Sequence, residues 1–141
     1  VTAFPNSKLI HCLRDPRDST LSCFMQSFFA QTLRFSNDLE HIGRYYRSYK
    51  RMMDHWYSII PDRFIDSSYE NLVADPESAT KRLMEHIGLS WDERCLQFHR
   101  SERYVPTASS QQVRQPMYTT AVARWKHYEK HLGPLLKYLE D

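Results

Sequence analysis

The chain is expected to fold as an α/β domain, a parallel sheet flanked by helices. Three observations predict this. Leu9–Leu13 and Arg63–Ser68 are short strand-like runs far apart in the sequence. Each leads into an Asp-Pro pair, Asp15-Pro16 and Asp75-Pro76, a helix start with the cap and the fixed φ of proline in place. Between the two runs lies a long segment with helical apolar spacing. Strands joined through helices pair in parallel by a right-handed crossover, and open sheets of this kind bind ligands at the C-terminal ends of their strands.

The elements follow in chain order. Leu9, Ile10, Cys12 and Leu13, interrupted only by His11, suit a buried strand covered on both faces. Arg14 stands at its end, and a helix should run from Pro16 to about Gln31. Ser22 falls about two turns into that helix. A strand, a fixed cation and a helix N-terminus together make an anion site. A polar break at Phe35-Ser36-Asn37-Asp38 precedes a helix from about Leu39 to Ile60. Its stripe of Leu39, Ile42, Tyr46, Tyr49, Met53, Trp56 and Ile60 is expected to be a packing face, and Pro61-Asp62 stops it. After the second strand and Tyr69-Glu70-Asn71-Leu72, the helix from Pro76 should turn Leu83, Met84 and Ile87 inward and end at Gly88. A short helix is expected over Trp91 to His99 and a long ordered loop from Glu102 to Pro116. The tail, about Val122 to Leu139, reads as helical with a break near Gly133-Pro134.

Composition narrows the function classes. A chain of 141 residues, 41% hydrophobic and 13% aromatic, suffices for one domain with a core. Nineteen basic against 17 acidic residues leave a net charge of +2, too balanced to argue for nucleic acid. No apolar run is long enough to span a membrane, and no secretory segment is seen. Cys12, Cys23 and Cys95 lack a C-x-x-C pair, which favours a reduced, cytoplasmic setting over disulfides or zinc. His127 and His131 have ligand spacing, but a third ligand and an H-E-x-x-H run are missing, so no metal is expected.

The spacing Arg14-x-x-Arg17-Asp18-x-x-x-Ser22 resembles the second cofactor motif of sulfotransferases, which use 3′-phosphoadenosine 5′-phosphosulfate (PAPS). The resemblance implies that Arg14 and Ser22 hold the 3′-phosphate. Guanidinium gives bidentate, charge-assisted bonds to phosphate, and the hydroxyl adds a neutral donor. Tyr69-Glu70-Asn71-Leu72 is similar to the family's Y-E-D-L strand-to-loop step, with Asn71 in place of the usual Asp, and implies an adenine contact for Tyr69. Ser109 to Trp125 resembles the C-terminal clasp of tyrosylprotein sulfotransferases and of bacterial sulfotransferases fused to tetratricopeptide repeats. By that resemblance Ser110 and Arg124 touch the cofactor, with Arg where the tyrosylprotein branch has Lys. The R-K-G-x-x-G-D-W segment of the small-molecule branch is missing, and R-D-P-R-D replaces R-N-x-K-D.

The implied fold is the P-loop-kinase-like sulfotransferase sheet. In that family a Gly-rich loop for the 5′-phosphosulfate and the catalytic base, His or Glu, lie upstream of the Arg…Ser motif. Gly43, Gly88 and Gly133 belong to no such loop. The sequence 1–141 is therefore expected to be the C-terminal part of one sulfotransferase domain, inactive alone and complemented by a missing N-terminal half, with no catalytic residue assigned. The whole enzyme would move a sulfuryl group from PAPS to a hydroxyl acceptor, a protein tyrosine or a small molecule, leaving the 3′,5′-bisphosphate (PAP). The rival expectation is a non-catalytic basic and aromatic helical module for an acidic partner or RNA. Arg44, Arg47, Lys50 and Arg51 with Tyr45 and Tyr46 suggest it, but no RNP-like motif supports it.

Overall fold

The structure, a computed structural model, describes residues 3–26, 28, 31–106 and 110–139, apart from the side chains of 31 and 32. Two strands, β1 (Leu9–Leu13) and β2 (Phe64–Ser68), pair in parallel, with Leu9 opposite Phe64 and Leu13 opposite Ser68. The helices are α1 (Pro16–Met25), α2 (Leu39–Ile59), α3 (Tyr69–Ala74), α4 (Pro76–Ile87) and α5 (Gly133–Leu136). Short 3-10 segments fill much of the rest, including Gln31–Asn37, Glu93–Arg100 and Arg124–His131. The chain divides into two compact units, each built from two separated stretches. A sheet unit holds Val1–Leu13 and Arg63–Thr119, and a helical unit holds Arg14–Asp62 and Thr120–Asp141.

In the sheet unit the parallel pairing agrees with the sequence reading, but the coverage does not. Ile10 is 41% exposed and Cys12 is exposed as well, so one face of β1 is open among the described residues. The reason is the width of the sheet: two strands cannot bury both of their faces. His11 and Asp66, opposite each other in the ladder, approach to 3.3 Å on the other face. The Tyr69 segment is a helix and not a loop. Ser68 caps α3 by accepting from the Asn71 N–H at 3.3 Å. Asp75 then caps α4 through Ser78, with Pro76 in the first turn. Gly88 closes α4 at φ +76, a left-handed position that glycine takes without a Cβ penalty. Leu83 and Met84 are half-buried as expected, while Ile87 is exposed.

In the helical unit, α1 ends at Met25, earlier than its expected end near Gln31. The polar break is a 3-10 segment in which Ser36 is buried and donates to the Leu33 carbonyl at 2.8 Å. Asp38 caps α2 by accepting from the His41 N–H. The apolar stripe of α2 packs as expected at Ile42 but departs at Trp56, which is 39% exposed. The core is Leu21, Ile42, Trp125, Leu132 and Leu135, flanked by Phe35, Leu39, Tyr128, Leu136 and Leu139. The tail is only partly α-helical. Arg124–His131 is wound as 3-10, and the break falls at Leu132, just before the Gly133-Pro134 pair that opens α5.

Candidate functional site

Arg14 is the residue after β1, and Asp15 follows it as the cap of α1. The Asp15 carboxylate accepts from the Arg17 N–H at 2.8 Å and from the Arg17 guanidinium at 2.9 and 2.6 Å. Burial pushes the Asp15 carboxyl up, but these bonds and the Arg17 charge outweigh it and lower its pKa. The first turn of α1 is thus partly satisfied from within. The simple reading of a helix N-terminus offering free amides to an anion needs correcting at Arg17, whose N–H and side chain both serve Asp15. The candidate anion contacts in this unit are Arg14, half-buried, and Ser22 and Arg124, both exposed.

Arg14 also reaches along the helical unit. Its Nη2 donates to the Ala121 carbonyl at 2.6 Å, 107 residues on in the sequence. Close by in sequence, the buried Asp18, only 2% exposed, accepts from the Ala123 N–H at 2.7 Å and from the Trp125 N–H at 2.8 Å. A buried carboxylate is tolerated when amides saturate it in this way. Arg17 lies over the Trp125 ring, 3.9 Å from its centroid. The segment 121–125 is therefore fastened by three residues of the one R-x-x-R-D run.

The five residues singled out from the sequence divide between the units. Arg14, Ser22 and Arg124 belong to the helical unit, Tyr69 and Ser110 to the sheet unit. Tyr69, half-buried at the start of α3, donates its hydroxyl to the Tyr118 carbonyl at 3.5 Å. Ser110 lines an open cleft with Tyr104, Val105, Gln111 and Arg114. Arg114 braces that cleft by donating to the Ser101 carbonyl and, at 2.8 Å, to the Arg103 carbonyl. Ser109, the first residue of the clasp resemblance, lies outside the described residues. Sequence reasoning missed the roles of Asp18 and Arg17. Both stand inside the quoted motif, and the tryptophan after Arg124 was the only hint of their partner. Among the described residues no group of three or more His, Cys, Asp or Glu could hold a metal ion.

Residues 1–93 match the model of the Sulfotransferase family. The chain belongs to the sulfotransferase family. The matched span contains Arg14, Ser22 and Tyr69, while Ser110 and Arg124 lie beyond it. Among its relatives is a protein of Aquifex aeolicus (strain VF5), described as an uncharacterized protein, 35% identical over 140 residues. That alignment covers 98% of this chain and 18% of the relative. Omega-hydroxy-beta-dihydromenaquinone-9 sulfotransferases of Mycobacterium bovis and Mycobacterium tuberculosis are 30% identical over 93 residues. Those alignments cover 61% of this chain and 24% of each relative. The chain thus spans less than a quarter of the length of the relatives it matches.

Proposed function

We propose that the protein of which this chain is part transfers a sulfuryl group from PAPS to a hydroxyl acceptor, and that the chain supplies the nucleotide grip. What supports this reading is the run Arg14-x-x-Arg17-Asp18-x-x-x-Ser22, which sets Arg14 directly after β1 and Ser22 on α1, within the span matched to the family. The donor set fits a phosphate. Arg14 presents a delocalised cation, Ser22 an exposed hydroxyl on α1, and Arg124 a second cation in the same unit. With its first-turn amide and Arg17 committed to Asp15, α1 contributes Ser22 rather than its backbone to the anion.

Bound PAPS supplies the activated sulfuryl group and a leaving phosphate. The chain's own residues bind and orient. Arg14 and Ser22 hold the 3′-phosphate, Tyr69 meets the adenine edge with a rigid ring, and Ser110 and Arg124 are each further nucleotide contacts. In-line transfer to a hydroxyl depends on such positioning and on charge stabilisation, as in phosphoryl transfer. The Gly-rich loop, the general base and the rest of a P-loop-kinase-like sheet belong, in this reading, to sequence upstream of Val1. Two observations bear on the acceptor. The clasp resemblance at Ser109–Trp125 supports a protein tyrosine, and the mycobacterial relatives, omega-hydroxy-beta-dihydromenaquinone-9 sulfotransferases, support a hydroxyl of a small molecule.

Calorimetric titration tests the grip. Arg14→Ala is expected to weaken adenosine 3′,5′-bisphosphate binding by about 1.5–3 kcal/mol and Ser22→Ala by about 0.5–1.5 kcal/mol. Adenosine 5′-monophosphate should be nearly unaffected by either change. Equal losses for the two nucleotides would remove the 3′-phosphate from the reading.

A further inference from the structure

We infer that Asp18 is the positioning residue of the C-terminal clasp: by holding the N–H groups of Ala123 and Trp125 it fixes Arg124, the residue between them, for an anionic ligand. The inference rests on the proposed role of Arg124 as a nucleotide contact. Asp18 itself touches no ligand in this scheme.

Three observations carry it. Asp18 is among the most deeply buried side chains described, and each of its carboxylate oxygens takes one clasp amide, at 2.7 and 2.8 Å. These bonds join residues 105 and 107 positions apart, so they fix a distant segment and not the helix that carries Asp18. Second, Ala123 has φ +57, the one positive φ at a non-glycine residue among those described. Alanine occupies that region only where its surroundings over-determine it, and such residues gather at ligand clamps. The two amides held by Asp18 lie on either side of Arg124 and supply that constraint. Third, the clasp is fastened again on both flanks, by Arg14 at the Ala121 carbonyl and by Arg17 over the Trp125 ring. A carboxylate in an anion-binding unit would repel the ligand if left bare. Here two N–H groups of the clasp bond it, which offsets the cost of burying the carboxylate.

The test combines amide hydrogen exchange with calorimetry on the protein, Asp18→Asn, Arg124→Ala and their combination. Asn is isosteric but has one acceptor and an NH2 that would face an N–H. Exchange at Ala123 and Trp125 should therefore speed up at least tenfold in Asp18→Asn. Affinity for adenosine 3′,5′-bisphosphate should fall about tenfold, as it does for Arg124→Ala, and the double variant should be no weaker than either single one. Adding Ala123→Gly to Asp18→Asn should recover part of the affinity, because glycine takes the left-handed conformation unaided; a role only in core packing would show no such rescue. Should Asp18→Asn not fold, Ala123→Val, whose β-branch disfavours the left-handed backbone, loosens the clasp with Asp18 left in place and should weaken the bisphosphate as Arg124→Ala does. Additive losses in the double variant, unchanged exchange, or unchanged affinity in Ala123→Val overturn the inference while leaving the proposed function standing. Failure of the unaltered protein to bind either nucleotide, with exchange still accelerated in Asp18→Asn, overturns the proposed function and the ligand role of the clasp together.

Discussion

The sheet unit and the helical unit are of similar size, yet every fully buried residue among those described belongs to the helical one. Leu132 and Leu135, from the tail, sit at 2% and 0% exposure in a core with Ile42 of α2 and Leu21 of α1. The sheet unit has good local signals, two capped helices and a registered ladder, but none of its described residues is fully buried. The difference teaches that secondary structure and burial are decided separately. A 21-residue amphipathic helix offers a long stripe that a few tail residues can close, whereas two strands leave a face open. It also separates the candidate ligand contacts. Arg14, Ser22 and Arg124 stand on the unit with the buried core; Tyr69 and Ser110 stand on the other.

The sharpest way to break the comparison is to empty each unit in turn. Leu135→Ala removes a fully buried side chain and should cost about 2–5 kcal/mol. Ile65→Ala in β2, half-buried, should cost about 1–2 kcal/mol, in proportion to the smaller apolar area returned to water. Urea unfolding followed by circular dichroism measures both. Equal costs would mean that the two units draw on one cooperative core.

Glycines sharpen the same contrast on a smaller scale. A Cβ at Gly43 on α2 would lie 2.8 Å from the Cβ of Tyr138, an atom close to the backbone that cannot swing away. Gly43→Ala should therefore destabilise by about 1–3 kcal/mol despite alanine's better helix propensity. Gly88 in the sheet unit has open space around it, so Gly88→Ala meets only the left-handed backbone penalty, about 1 kcal/mol. Thermal unfolding of the two variants should show the larger shift for Gly43→Ala; the reverse order would mean that the packing of Tyr138 on α2 is looser than its contacts indicate.

What was legible in the sequence was local. Asp15-Pro16 and Asp75-Pro76 announce their helices because cap and fixed φ act within four residues, and Gly88 marks its helix end for the same reason. The strands and their parallel sense followed from the intervening helix. The rest depended on partners far along the chain. Nothing near Ile10 says that its face is left open, and the spacing that put Trp56 on the packing stripe continues past the point where the core ends. Tyr69 begins a helix because Ser68 caps it, a signal hidden under the strand pattern. For the candidate site, the residue types at Arg14 and Ser22 were readable. The burial of Asp18 under two amides more than 100 residues away was not, because no periodicity links them.

The finest comparison is between two half-exposed carboxylates, one in each unit, both held down to about 2. Glu40 owes this first to the hydrogen bond from Arg44 at 2.7 Å, then to the Tyr138 hydroxyl at 2.7 Å and to Lys137, 3.3 Å away. Asp92 owes it to Arg94 alone, whose guanidinium and N–H both bond it. In each case the folded pKa lies below the ordinary value, 4.5 for Glu40 and 3.8 for Asp92. The stabilising contribution is thus fully present above the ordinary value and is lost as pH falls through about 2. The partners differ in a way that decides the size of the effect. Asp92 and Arg94 are two residues apart and can meet in an unfolded chain, which cancels much of their contribution. Tyr138 and Lys137 reach Glu40 only when the tail is docked on α2. Glu40→Gln should therefore flatten the acid dependence of stability between pH 4.5 and 2 more than Asp92→Asn does. Added salt should shrink the Glu40 effect, because the pair is open to solvent. Urea midpoints collected across that pH range read the difference. Equal slopes for the two variants would show that the Tyr138 and Lys137 contacts add nothing to the local Arg44 pair, and that the tail is held on α2 by Leu132 and Leu135 alone.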